Sequence, residues 1–310
     1  MNGISATNGI NPVAVVGPTG AGKSAMSLAL AHELGGEIIN IDSMQLYQGM
    51  DIGTAKLTVA EREGIPHHQL DIWPVTKPAS VAEYRVGAIA DAEAIMARGK
   101  TPIFVGGSMM YVQALVDEWD FPPTDPAVRG KWESTLAEIG VEALHAHLAT
   151  VDPQAASIIE ARDPRRTVRA LEVIELTGKP FAASQPPKDR PARWNMDILG
   201  LQADAEWLNP RLEQRVDIMF ERGLVAEVER LKAAGLRRDS TAGQAIGYAQ
   251  VLDYLDEHMT EAQAREATVI GTRRYARRQR SWFRRDPRVQ WIPANQPDAI
   301  GRALQLVRSR

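Results

Sequence analysis

The chain has 310 residues, 44% hydrophobic and 24% charged, with a net charge of −3. This is the composition of a folded globular protein long enough for two domains. The absence of cysteine excludes disulfides, thiolate catalysis and cysteine-bound zinc. No apolar run approaches the ~20 residues of a membrane span. The small, polar start over residues 1–11 lacks the basic and apolar regions of a signal peptide. A disordered tail, a cytoplasmic location and no membrane partner are therefore expected. The six histidines make no spaced ligand set with carboxylates, so no structural metal centre is expected.

In chain order, the first predicted element is a buried strand at 13–16, Val-Ala-Val-Val. It runs into Gly17-Pro18-Thr19-Gly20-Ala21-Gly22-Lys23-Ser24, which fits G-x-x-x-x-G-K-[ST] without a mismatch, and then into a helix at 23–34. Strand, glycine loop and helix together make a phosphate cradle. Backbone N–H groups and the helix N-terminus face the anion, Lys23 adds a point charge, and Ser24 offers a hydroxyl to Mg²⁺. Further strands are predicted at 37–41, 102–105, 197–201 and 288–292, with helices near 79–98 and 109–117. This alternation predicts an α/β fold, a P-loop-containing parallel sheet with helices on both faces and mostly helical insertions. Ligands in such sheets sit at the carboxyl ends of the strands. There the chain places Asp42-Ser43 after the second strand and Gly106-Gly107-Ser108 after the third. Asp42 suits a magnesium ligand, a general base or a solvated loop acid. Ser108 suits a phosphate or substrate contact, or a helix N-cap.

Residues 125–178 carry three helical stretches broken at Asp152-Pro153 and Asp163-Pro164. Arg162, Arg165, Arg166 and Arg169 share one helical face there. They read either as an arginine clamp on a phosphate chain or as a surface face paired with Glu172 and Glu175. Residues 179–193 read as a loop, and 205–260 as further amphipathic helix with breaks at Gly223, Gly235 and Gly243. Between Gly271 and Arg288 lie eight arginines, including Arg273, Arg274, Arg277 and Arg278, opposed by Asp286 alone. Tyr275, Trp282 and Phe283 interleave with them, a pattern suited to phosphate backbones and stacked bases. A near-neutral chain that gathers its positive charge in one place implies a specific anionic partner.

Several longer motifs then coincide. Asp42-Ser43-Met44-Gln45-Leu46-Tyr47, Gly49 to Lys56, Pro66-His67-His68, Val105 to Ser108, Arg169 to Val173, Ala245-Ile246-Gly247-Tyr248 and Thr272 to Gln279 follow the glycine loop in order. Over about residues 12–292 the chain resembles the bacterial tRNA dimethylallyltransferase family. The resemblance implies transfer of a dimethylallyl group from dimethylallyl diphosphate to the exocyclic N6 amine of the adenosine 3′ of the anticodon, with release of diphosphate. It implies Asp42, Ser108 and Lys23 as catalytic residues. The diphosphate would be held by residues 17–24 with Arg166 and Arg169, and Mg²⁺ by Ser24. The tRNA anticodon stem-loop would meet Asp42, Ser43, Met44, Gln45, Tyr47, Ser108, Arg129, Arg165, Arg166, Arg169, Gly247, Tyr248, Arg273, Arg274, Arg277 and Arg278. Ser108 stands where the family usually has threonine, Met44 where it has a small residue, and Ala249 where it has a basic one.

The expected core comprises 12–120 with about 160–203 and 262–295. Helical insertions at about 121–159 and 204–261 would contact tRNA, and 296–310 forms a C-terminal segment. A monomer is expected. Three other readings share the glycine loop: an ATP-dependent small-molecule kinase, a prenyltransferase acting on free adenylate, and a non-catalytic nucleotide-dependent RNA-binding module.

Overall fold

The computed structural model describes residues 10–117, 121–181 and 190–309. Its strands are β1 (Val13–Val16), β2 (Glu37–Asn40), β3 (His67–His68), β4 (Pro102–Val105), β5 (Asp197–Gln202) and β6 (Val289–Pro293). Its helices are α1 (Lys23–Leu34), α2 (Val81–Ala97), α3 (Met109–Val116), α4 (Pro126–Val151), α5 (Pro153–Ile158), α6 (Pro164–Thr177), α7 (Ala205–Glu221), α8 (Leu224–Ala233), α9 (Tyr248–Leu255), α10 (Glu261–Phe283) and α11 (Ala299–Arg308). Two compact units result: Met1–Val116 with Pro191–Arg310, and Asp117–Arg190. The expected boundaries fall elsewhere. Residues 160–190 lie in the smaller unit, because α6 packs on α4. Residues 204–261 lie in the larger unit, because α7, α8 and α9 share one core cluster with the sheet.

All six strands of the larger unit are parallel, in the order β3-β2-β4-β1-β5-β6. The side-chain period of two sends alternate residues to opposite faces. Ala14, Val16, Ile39 and Phe104 pack with α2, α3 and α7 to α9, while Val13, Val15, Ile38 and Ile103 pack with α1 and α11. Strands covered on both faces read as continuous apolar runs, which is why 13–16 and 102–105 are legible. The edge strand β3 is not legible, because two histidines paired to Ile38 and Ile39 carry no periodicity. Helix α11 is likewise not signalled within 296–310; its buried Ala303 joins the cluster around α1. Among the described residues, no helix is long and apolar enough to cross a membrane.

The smaller unit is built on three Asp-Pro helix starts. Asp125 accepts from the N–H groups of Ala127 and Val128, Asp152 from Ala155, and Asp163 from Arg166. Proline follows each cap at the first helical position, where its missing N–H costs nothing. Leu144, Leu148, Ala155, Ile159, Val168 and Leu171 form the core.

Beside that core lies Glu172, fully buried, accepting from Thr124 Oγ1 at 2.6 Å, Arg129 Nη2 at 2.9 Å, Arg169 Nη1 at 2.7 Å and the Asp125 N–H at 3.1 Å. Burial pushes its carboxyl up, but the bonds from Thr124, Arg169, Arg129 and Asp125 outweigh this and hold it at about 2. A carboxylate held below its unfolded value adds stability above that value and loses it as pH falls through the folded one. Glu172→Gln should therefore lower stability near neutral pH by roughly 2–3 kcal/mol and flatten the loss between about pH 4.5 and 2. Acid-unfolding curves of the two proteins check this.

Candidate active site

The phosphate loop lies at the carboxyl end of the central strand, β1. Gly22 caps α1 with φ +91°, a conformation that side chains rarely adopt. No side chain caps that helix start, so its first amides are available to an anion. The Lys23 ammonium donates to the Pro18 carbonyl at 2.9 Å. Burial lowers it from the ordinary lysine value to about 8; Asp42 opposes this shift and Arg215 adds to it.

Two neighbouring strand ends close on this loop. A Cβ on Gly107 would lie 2.2 Å from the Gln279 amide nitrogen and 3.0 Å from the Gly17 carbonyl oxygen, so only glycine permits the approach. Gln279, 2% exposed on α10, donates from Nε2 to the Gly107 carbonyl at 2.9 Å and accepts the Thr19 N–H on Oε1 at 2.9 Å. One amide thus stitches the phosphate loop to the Gly-Gly turn. Ser108 Oγ accepts the Ser43 N–H at 2.9 Å and donates to Ser43 Oγ at 3.1 Å, tying the end of β4 to that of β2. The Ser108 carbonyl accepts the Val112 N–H at 3.0 Å, so the residue also begins α3. Ser108 therefore holds the N-cap position of α3, with its hydroxyl bonded to Ser43.

Asp42 follows β2, half-buried. Its N–H donates to Asn40 Oδ1 at 2.9 Å, and its own Oδ1 accepts the Met44 N–H at 3.0 Å. It acts electrostatically on Lys23 and on Arg215 of α7, favouring the charged form of each. Burial lowers the Arg215 value against that influence. Burial, with Asp42 adding to it, pushes the Tyr275 hydroxyl up to about 12. The strand ends therefore gather one carboxylate, two cations and neutral hydroxyls around the phosphate loop. That set can hold a diphosphate and accept a proton beside it.

Gln45 donates from Nε2 to the Thr54 carbonyl at 3.1 Å, where Arg215 Nη2 also lies at 3.4 Å. Met44 packs partly buried against the core. For two expected tRNA contacts the structure gives a correction. Tyr47 is fully buried and donates to the Lys77 carbonyl at 3.0 Å; Tyr248 is fully buried and donates to Glu227 at 2.5 Å. The Tyr248 ring lies against Gly53, and Glu227 also accepts the Ile52 and Gly53 N–H groups. Motif matching locates these tyrosines but does not reveal that their hydroxyls point inward. Gly247 begins α9 and Ala249 is buried in it.

On α10, Ala264, Thr268, Ala276, Gln279 and Phe283 form the buried face. Arg273 pairs with Glu213, and Arg280 donates to the Ala203 carbonyl. Arg288, beyond the helix, pairs with Asp286. Arg274, Arg277, Arg278, Arg284 and Arg285 are exposed, and among the described residues none of them pairs with a carboxylate. In the smaller unit Arg129 and Arg169 are committed to Glu172, with Arg169 also donating to the Pro122 and Pro123 carbonyls. Arg165 and Arg166 are exposed. The paired-face reading therefore holds for Arg169 through Glu172, whereas Glu175 pairs with Lys131 and Arg162 with Glu142.

Sequence reasoning missed Gln279 and Arg215. A polar residue in the apolar phase of α10 was the available signal for the first. The second had none, lying on a helix 160 residues or more from the loops it meets.

A parallel sheet with a glycine-loop cradle at β1 and an acid after β2 defines a P-loop protein of the α/β class. The IPP transferase family matches residues 45–286. A tRNA dimethylallyltransferase of Corynebacterium jeikeium is 69% identical over 302 residues, covering 97% of each chain, and one of Corynebacterium glutamicum strain R is 65% identical over 298 residues, covering 96% of this chain and 99% of the other. The full-length tRNA isopentenylpyrophosphate transferase of Bacillus halodurans superposes with TM-score 0.71 at 37% identity, over 96% of each chain. A eukaryotic dimethylallyltransferase solved acting on tRNA superposes with TM-score 0.82 at 29% identity, over 97% of this chain and 80% of that one. The chain belongs to the IPP transferase family.

Proposed function

We propose that the protein transfers a dimethylallyl group from dimethylallyl diphosphate to the N6 amine of the adenosine 3′ of the anticodon in tRNA, working as a monomer. The observation that carries this reading is the meeting of strand ends, where Gly107 packs on Gly17 of the phosphate loop and the adjoining Ser108 binds Ser43, the residue after Asp42, so that a proton acceptor shares the edge of the sheet with a phosphate cradle. The N6 lone pair forms the bond to C1 of the donor. The C1–O pair leaves with the diphosphate, and the N6 proton passes to the Asp42 carboxylate. The loop amides and Lys23 stabilise charge as it develops on the leaving group. The adenine amine is weakly nucleophilic because its lone pair is shared with the ring, so proton removal during attack matters. The base has to leave the loop stack to reach Asp42.

The donor set suits Mg²⁺, which binds through one or two protein oxygens and substrate phosphates rather than an all-protein cage. Ser24 is exposed at the first turn of α1 and would hold the ion, which supplies charge neutralisation on the departing diphosphate. The exposed Arg165 and Arg166, and separately the exposed arginines of α10, are proposed to meet RNA phosphates.

The test is a mass measurement. The protein is mixed with Mg²⁺, dimethylallyl diphosphate and an unmodified anticodon stem-loop, with AMP plus donor and ATP plus RNA as parallel arms. A five-carbon gain on the RNA alone supports the reading. A gain on AMP alone, or ATP consumption without transfer, overturns it.

RNA binding makes a separate prediction. Charge reversal of Arg274 and Arg278 should weaken stem-loop binding and reduce the slope of log K against log salt by about 0.7–0.9 for each phosphate that is no longer neutralised. A titration at several salt concentrations checks it. An unchanged slope would place the RNA elsewhere.

A further inference from the structure

The segment Gly49 to Lys56 belongs to the motif series, yet the proposed chemistry gives it no task. The structure shows how it is built. Lys56 is a buried lysine, with its side chain 3% exposed. Its ammonium donates to the Tyr47 carbonyl at 2.9 Å, to Asp51 Oδ1 at 2.7 Å and to Asp71 Oδ1 at 2.5 Å. Three donors meet three acceptors, so the ammonium is fully satisfied. The two carboxylates are about half exposed, so water reaches their outer sides while the lysine stays inside.

The Tyr47 carbonyl lies at the junction between the turns that start at Asp42 and the next one, in which it accepts the Met50 N–H at 3.4 Å. The Gln45 N–H donates to the Asp42 carbonyl at 3.2 Å, and the Tyr47 N–H to the Met44 carbonyl at 3.3 Å. The Asp71 N–H donates to the Gln45 carbonyl at 3.2 Å, and the Trp73 N–H to the Leu46 carbonyl at 2.9 Å. Lys56 therefore grips this run at its far end and, through Asp71, along its side. The Asp71 backbone has φ 56°, a conformation rare for a side-chain-bearing residue that persists only where its surroundings impose it.

We propose that Lys56 is a positioning residue for Asp42, holding the Asp42–Tyr47 turns in the geometry that proton transfer requires. The inference rests on the reaction proposed above. Lys56 touches neither substrate nor reacting atoms, and it acts through the backbone it holds. A compact ammonium with three separately aimed protons suits this pocket; a planar guanidinium does not.

The test compares the parent with Lys56→Met, Lys56→Arg and Asp71→Asn, using dimethylallyl diphosphate, Mg²⁺ and the synthetic stem-loop. Loosening a group that sets reacting geometry costs up to ~100-fold. Lys56→Met should lower kcat by ~10–100-fold while the KM for dimethylallyl diphosphate stays within about twofold. Lys56→Arg should not restore kcat, and Asp71→Asn should lower it by a smaller factor of about three to ten. Unchanged kcat in the folded Lys56→Met protein, with only its melting temperature reduced, overturns the inference and leaves Lys56 a stabilising residue. If Lys56→Met does not fold, Asp71→Asn decides: parent-like kcat overturns the inference, and lowered kcat with unchanged donor KM supports it. A parent protein that prenylates no RNA removes the proposed reaction and this inference together. A parent that does so, alongside parent-like variants, removes this inference alone.

Discussion

Asp42→Asn should abolish prenyl transfer while leaving the stem-loop bound. Asparagine keeps the shape of the side chain and its capacity to accept the Met44 N–H, so the turn after β2 survives. It cannot take the N6 proton. A positioned base typically contributes ~10²–10⁴-fold, and a loss of that size in kcat is expected. The substitution has a second consequence that the assay can isolate. Asp42 supports the charged form of Lys23. Without it, the ammonium falls below its parent value of about 8, and donor binding weakens in mildly alkaline buffer. Single-turnover rates at saturating dimethylallyl diphosphate separate loss of the base from this loss of donor affinity. Direct binding of labelled stem-loop completes the test. Turnover within threefold of the parent, an effect too small for a lost base, would remove Asp42 from the reaction.

Local chemistry made much of this molecule legible. The apolar runs of β1 and β4, the glycine loop and the Asp-Pro helix starts are each specified within a few residues, and each forms where the spacing places it. The site was legible only at its strand ends, because a parallel sheet brings Lys23, Asp42 and Ser108 to one edge. What joins those ends comes from far along the chain. Gln279 reaches Thr19 across 260 residues, Glu227 reaches Ile52 across 175, and Arg215 reaches Thr54 across 161. No periodicity or motif spacing encodes such pairs. The reverse error occurred at Tyr47 and Tyr248, where a tyrosine inside a motif suggests a contact surface although burial makes it part of the core. Arg169 resembles a free clamp residue until Glu172, three residues on and fully buried, is seen to hold it.

Lys23 gives the second large effect and a pH signature of its own. Lys23→Ala should raise the KM for dimethylallyl diphosphate by ~10–100-fold, since a hydrogen bond to a charged partner contributes roughly 1.5–3 kcal/mol. It should lower kcat as well, because negative charge grows on the diphosphate as the C–O bond breaks. The sign of the pH dependence follows from the lowered ammonium, at about 8 because of burial. Below that value the side chain is already protonated and donor affinity is flat with pH. Above it the free protein carries a neutral amine, and binding the anion requires taking up a proton. The parent's donor KM should therefore rise by up to tenfold per pH unit above about 8. Lys23→Ala, having no group to titrate, should show a weak but level KM over the same range. Initial rates from about pH 6.5 to 9.5 at saturating stem-loop distinguish the two profiles. A parent KM that stays level across that range would mean that the ammonium does not meet the diphosphate, and that the loop amides and helix N-terminus hold the leaving group without it.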